Sequence, residues 1–300
     1  MTRRARYLSH LGAAVAVSLT CHAGAALAEP AGQGAALRLV ADQSQPTDKQ
    51  SIEELWALLG MPEMVSILHD EGLAMALTSD MDLLGHEGGP RWEAAVQQIY
   101  DEKALQGELH AQLEQQLAQT HLVALCDFYK REDMQDVILH EIAARRAFLD
   151  ISFEQTARNR WIQGDTSDML DDTIRVYVDQ NDLIELNVMG SLNSNLVFLN
   201  ALNQSMPDAV GQMSEQDILS HVWSQEIDIR TDTTEWIYAY LHTAYEPVDP
   251  AVLERYVAFS ATEAGQALNQ ALFAAFDALY LRLSGDLGRV VGTMSLEEEL

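Results

Sequence analysis

From Ser51 onward the apolar residues of this chain recur at helical rather than alternating spacing. Ser51-Ile52-Glu53-Glu54 has the shape of a capping box, and Leu55, Leu58 and Leu59 follow it before Gly60 and Pro62 punctuate the run. A second helix is expected around Met64, Ile67, Leu68 and Leu73, then a loop holding Gly85, Gly88, Gly89 and Pro90. No proline falls between Pro90 and Pro207, and the Ala, Leu, Gln and Glu content of that stretch predicts long helices. Trp92, Val96, Ile99 and Tyr100 mark the first. Leu109, Leu113, Leu117 and Leu122 mark the second, and Met134, Val137, Ile138, Ile142 and Phe148 the third.

The second half repeats the theme. Thr166-Ser167-Asp168 opens a helix with Asp168, Asp171 and Asp172 in its first turns, where the helix dipole favours acids, and Gly164 is the boundary before it. Leu183, Leu186, Leu196, Leu199 and Leu202 predict a helix with a weak point at Gly190; Ile218, Leu219, Val222, Trp223 and Ile227 predict another that ends before Thr231. Trp236, Ile237, Tyr240 and Leu241 predict a third, stopped by Pro247 and Pro250, and an apolar stripe from Leu253 to Leu283 a last one that ends at Gly285. The expected fold is all-α, a bundle-like array of two related units, 51–164 and 165–292, with an acidic tail at 293–300.

The first 28 residues read differently. Arg3, Arg4 and Arg6 precede the apolar stretch Leu11 to Thr20, and Ala26-Leu27-Ala28 is a small-x-small site, so an export signal cut after Ala28 is expected. Residues 29–50 lack helical period and read as a flexible leader. Removing Arg3, Arg4 and Arg6 from 18 basic residues leaves 15 against 46 acids, a net of −31. So acidic a chain repels polyanions, which excludes nucleic acid as an expected partner. Cys126 would be the one thiol of the exported form, set among Leu122, Val123, Leu125 and Phe128, and is expected to be buried and inert.

LVALCDFYKREDMQ at 122–135 and LERYVAFSATEAGQ at 253–266 share Leu122/Leu253, Phe128/Phe259, Glu132/Glu263 and Gln135/Gln266 at one constant offset, which points to internal duplication. The segment YVAFSATEAGQALNQALFAAFDALY at 256–280 resembles an exported bacterial helical family, domain of unknown function 2059. Phe259, Ser260, Glu263, Gly265 and Gln266 carry the resemblance. The proline that usually precedes the glycine is absent, with Glu263-Ala264 in its place, and CDFYKREDMQ looks like a diverged copy with Met134 where the glycine would be. The resemblance implies an all-helical exported protein and transfers no catalytic residue.

Candidate chemistry is sparse. His140-Glu141 begins a zinc-protease helix motif, but Ala144 stands where the second histidine must fall, so a Glu141/Arg145 pair one helical turn apart is the expected role. The acids at 165–172 and 179–182 lack the glycine and the alternation of a calcium loop. His69, His86, His110, His121, His221 and His242 are scattered singly, and no cofactor or metal site is expected from the spacing. The weak ligand-binding candidates are His86, Arg91 and Trp92 in a Gly-rich loop, with Trp223, Trp236 and Tyr240 as aromatics able to line a groove. The expected function is non-enzymatic: a periplasmic or secreted envelope protein, with no transmembrane segment after signal cleavage, that binds an envelope protein or a small ligand in an apolar groove between its units. A hydrolase assembled across helices and a purely structural, oligomerising module are the alternatives.

Overall fold

A computed structural model describes residues 51–206 and 213–297, so the expected signal segment and leader lie outside the described residues. Every described element is a helix. In chain order they are α1 (Ile52–Leu58), α2 (Met61–Thr78), the short α3 (Asp80–Leu83), α4 (Gly89–Ile99), α5 (Glu102–Gln116), α6 (Gln119–Tyr129), α7 (Glu132–Ala147), α8 (Ile151–Ile162), α9 (Asp168–Gln180), α10 (Leu183–Ser205), α11 (Glu215–Trp223), α12 (Glu226–Tyr245), α13 (Pro250–Ser260) and α14 (Glu263–Glu297).

Local chemistry sets many of the starts. Ser51, Asp101, Ser214 and Asp249 each accept a backbone N–H from the first turn that follows, satisfying donors a helix leaves unpaired. The same rule explains a break that periodicity passes over: Asp150 accepts from the N–H groups of Ser152 and Phe153, so α8 starts afresh after α7.

Several expected boundaries shift. The run Leu109 to Leu122 is two helices, because the extended backbone at Leu117 and Ala118 divides α5 from α6. The run through Ile227 breaks at Ser224-Gln225, and α12 continues past Thr231. Gly190 is no weak point, since α10 passes through it unbroken. The last apolar stripe is α13 and α14, and α14 runs through Gly285 and the expected tail to Glu297. There the glycines serve close packing: a Cβ at Gly288 would lie 2.5 Å from the Phe198 carbonyl oxygen of α10, and one at Gly292 2.8 Å from that of Leu202.

Apart from α3 and α8, which have no counterpart, the helix order of the first half recurs in the second. The junction Leu59-Gly60 between α1 and α2 matches Asn181-Asp182 between α9 and α10, and Gly60 and Asp182 are both left-handed, at φ 63° and 49°. Tyr100-Asp101 before α5 matches Ser224-Gln225 before α12, and Lys130-Arg131 before α7 matches Ala261-Thr262 before α14. Burial follows the same alignment. Ile52, Leu55 and Trp56 match Ile174, Tyr177 and Val178; Leu105, Leu109 and Leu113 match Ile229, Thr233 and Ile237; Leu122, Leu125 and Cys126 match Leu253, Tyr256 and Val257.

The packing is reciprocal as well. Within each half, α1 on α6 and α2 on α7 have their equivalents in α9 on α13 and α10 on α14. Between halves, α5 packs on α14 while α12 packs on α7, so each half lends its long C-terminal helix to the other. Phe128 and Phe259, one from each half at the same position, stack with ring centroids 3.6 Å apart and planes 4° from parallel. They mark the axis about which the halves exchange.

Candidate functional site

The buried ionisable groups gather where the halves meet. Glu141 and Arg145, on α7, are only 3% and 2% exposed. The pair expected between them is not formed, because tertiary partners outcompete the local one. Arg145 donates through Nη2 to Glu71 of α2, and its guanidinium lies 5.3 Å from the Trp236 ring centre. Glu141 Oε1 accepts from the hydroxyls of Tyr245, at 2.6 Å, and Tyr256, at 3.0 Å, while its main-chain oxygen accepts from Tyr240 at 3.1 Å. Two tyrosines of the second half thus hold one carboxyl of the first, and a third holds the main chain of the same residue.

Burial pushes the Glu141 carboxyl up to about 7, against the downward pull of the Tyr245 and Tyr256 hydrogen bonds. Desolvation wins because neither hydroxyl carries charge. Burial likewise raises the tyrosine hydroxyls, with the Glu141 charge adding to it, so they act here as donors. The cluster can store a proton; the surrounding Trp236, Tyr240, Tyr245 and Tyr256 are all buried and seal it.

A second titratable pair lies between α9 and α12. His242 Nε2 and Asp171 Oδ1 are 3.1 Å apart, and Arg175 donates to the same carboxylate at 2.6 Å. Burial pulls the His242 imidazole down, with the Asp171 bond opposing; against the cost of its own burial, His242 and Arg175 hold Asp171 low. The pair joins α9 to α12 across 71 residues of sequence. Cys126 is buried, as expected, and burial, with Glu54 and Asp127 adding to it, pushes its thiol up to about 11. Among the described residues no three His, Cys, Asp or Glu side chains converge to hold a metal ion.

The six sequence candidates do not converge. His86 Nδ1 turns to the neighbouring Glu87 carbonyl at 2.8 Å, Arg91 is exposed on α4, and Trp92 is buried with its indole N–H on the Ala76 carbonyl at 3.2 Å. Trp236 and Tyr240 stack on each other in the core, 5.1 Å apart. Where the halves meet, Phe128, Tyr129, Tyr256 and Phe259 pack ring against ring. A surface hollow of about 390 Å³ instead opens beside the start of α1, lined by Ile52, Glu53, Glu114, Leu117 and Leu122 among others.

Trp223 alone of the tryptophan and tyrosine candidates faces outward, at 58% exposed, and it has company. Leu219 is 44% and Ile227 74% exposed, so three large apolar side chains follow one another along the outside of the α11–α12 corner. Glu215, Asp217 and Asp228 are exposed around them, and the nearby Arg230 is taken up by Glu185 and Glu226. Leu219 and Ile227 share helical spacing with the buried Ile218 and Val222, so spacing alone does not set them apart. Their exposure was legible only once the α11–α12 break was known.

Comparison with protein-family models, with curated proteins and with solved structures gives no match for this chain. Among the described residues no helix is long and apolar enough to cross a membrane.

Proposed function

We propose that this chain is an exported, non-enzymatic interaction protein of the cell envelope, released by cleavage after Ala28, and related to the helical family it resembles at 256–280. The observation that carries the reading is the exposed ridge of Leu219, Trp223 and Ile227 on a protein in which Trp56, Trp92 and Trp236 are buried and Trp161 is half-buried. Leaving such side chains in water forfeits the free energy their burial would give, roughly 25 cal/mol per Å² of apolar surface. The acids around the ridge choose the partner. With 46 acidic and 18 basic residues the chain repels a second copy of itself, whereas a partner segment that sets Lys or Arg beside apolar side chains matches the ridge in both respects.

The test is titration of the mature chain with a synthetic amphipathic helix whose polar face is lysine, followed by fluorescence anisotropy. Trp223→Ser and Ile227→Ser are each expected to weaken binding about tenfold, the effect of about 1.4 kcal/mol, and the same peptide with a glutamate face is expected not to bind. Binding indifferent to the ridge substitutions refutes the reading, as does self-association through the ridge.

A further inference from the structure

The duplicated fold supplies an internal control for its own core. Asn181, Asn187 and Asn269 in the second half are each no more than 1% exposed. Both side-chain polar atoms of Asn181, both of Asn269 and Oδ1 of Asn187 lack any hydrogen-bond partner. Aligned from the helix junctions, these positions correspond to Leu59, Val65 and Ile138 in the first half, all buried and apolar. The fold therefore is served by apolar residues at all three places. Burying an amide without a partner costs free energy that the first half does not spend, so packing alone does not account for these amides.

Two observations bring the three together. A Cβ on Gly190 of α10 would lie 2.9 Å from Asp277 Oδ1 of α14, and one on Gly285 would lie 3.3 Å from Val197, so the two helices run parallel. Two turns back from the Gly190 level, the start of α10 at Leu183 lies beside Asn269. Asn187 is tied to that level because its Nδ2 donates to the Leu183 carbonyl at 2.6 Å, and Asn181 immediately precedes the left-handed Asp182 that leads into α10. The first half confirms the placement: a Cβ on Gly60, the counterpart of Asp182, would sit 3.3 Å from Ile138, the counterpart of Asn269.

From this juxtaposition we propose that Asn181, Asn187 and Asn269 form a buried site for a small, uncharged molecule that both donates and accepts hydrogen bonds. Three carbonyl oxygens and two amide NH₂ groups without a formal charge match such a molecule. An asparagine side chain is also smaller than the leucine, valine or isoleucine at the matching position of the first half. Water and a small polar metabolite share this chemistry.

The experiment compares the mature full chain with the variant that restores the first half's residues, Asn181→Leu, Asn187→Val and Asn269→Ile, by high-resolution crystallography and native mass spectrometry. The expected result is non-protein density bonded to the amides in the natural chain and its loss in the variant. A metabolite adds mass that survives desalting and disappears on denaturation; ordered water adds none, and that distinguishes the two sources. Asn269→Leu alone, expected to lose the contacts on the α14 side, serves if the triple variant does not fold. Amides that pair with one another or with main-chain groups, with no density between them, overturn the proposal. So does density that persists in the variant.

Discussion

Six helices of each half of this protein follow one another in the same order around interiors of different chemistry. Where the first half buries Glu141 and Arg145 on α7, the second has Leu272 and Phe276 on α14; where the second buries Asn181, Asn187 and Asn269, the first has Leu59, Val65 and Ile138. Backbone and burial pattern survive each exchange. The lesson is that this fold asks only for volume and an apolar surface at these positions, and that a polar group found at one of them answers to a neighbour or a ligand.

Arg145 offers the hardest way to break that comparison. Arg145→Ala removes both the Glu71 pair and the stem packed under Trp236, and is expected to lower the unfolding free energy by about 3–5 kcal/mol in a urea titration. Arg145→Phe installs the second half's residue. It is expected to recover at least half of the loss, because Glu71 is partly exposed and can return to water. A phenylalanine as costly as the alanine would show that the charge, and not its bulk, holds α7 in place.

Glu141 makes the next largest difference, and it is visible as pH dependence. Its folded pKa, about 7, lies above the ordinary 4.5, so between these values the folded chain holds a proton that the unfolded chain has released. Its contribution to stability is complete below pH 4.5, declines as pH rises, and is lost above about 7, a total of about 3 kcal/mol. Asp277, raised to about 6 by burial, works in the same direction. Glu141→Gln keeps an acceptor for Tyr245 and Tyr256 and is expected to flatten most of this decline in urea midpoints from pH 4.5 to 8. A slope unchanged by the substitution would place the proton elsewhere.

How much of this was legible beforehand follows from the range of the forces involved. Helix starts are set within one turn, so the Ser51 cap, and Asp168 and Asp171 in the first turn of α9, announced their helices, while the shared Phe128/Phe259 and Gln135/Gln266 pointed to a repeat. The partners of Glu141 lie a hundred residues away on α12 and α13, and no periodicity carries that information. The same limit hid the fate of Trp223 and Trp236. Both sit at helical spacing, yet one is exposed at a corner and the other lies beneath Arg145, and only the packing of α12 against α7 separates them. Gly190 was read as a weak point and Gly285 as a helix end because glycine lowers helix propensity, a local cost of about 1 kcal/mol that close packing between α10 and α14 overrides.

The paired junctions allow a finer test. Gly60 and Asp182 occupy the same left-handed conformation, but only glycine adopts it without strain. Gly60→Ala is expected to destabilise the chain by roughly 1–2 kcal/mol from the backbone alone, and by more because its Cβ would collide with Ile142. Asp182→Gly is expected to raise stability by up to about 1 kcal/mol by relieving the same strain. Equal effects of the same sign would mean that the two junctions are not equivalent.

The smallest effect probes the axis itself. Phe128 and Phe259 touch each other across the halves, so a double-mutant cycle isolates their mutual term from what each makes with its own half. Phe128→Leu and Phe259→Leu limit the cavity, and the coupling is expected at about 0.5–1.5 kcal/mol, the range for stacked aromatic pairs. Tyr129 and Tyr256 also approach Phe259 and Phe128, respectively, with ring centres 6.1 and 6.4 Å apart, and retain those contacts when only the opposite phenylalanine is replaced. A coupling within that range ties the halves together through the one pair the repeat places on its own axis. A coupling near zero would mean that the reciprocal helices, α5 on α14 and α12 on α7, carry the association by themselves.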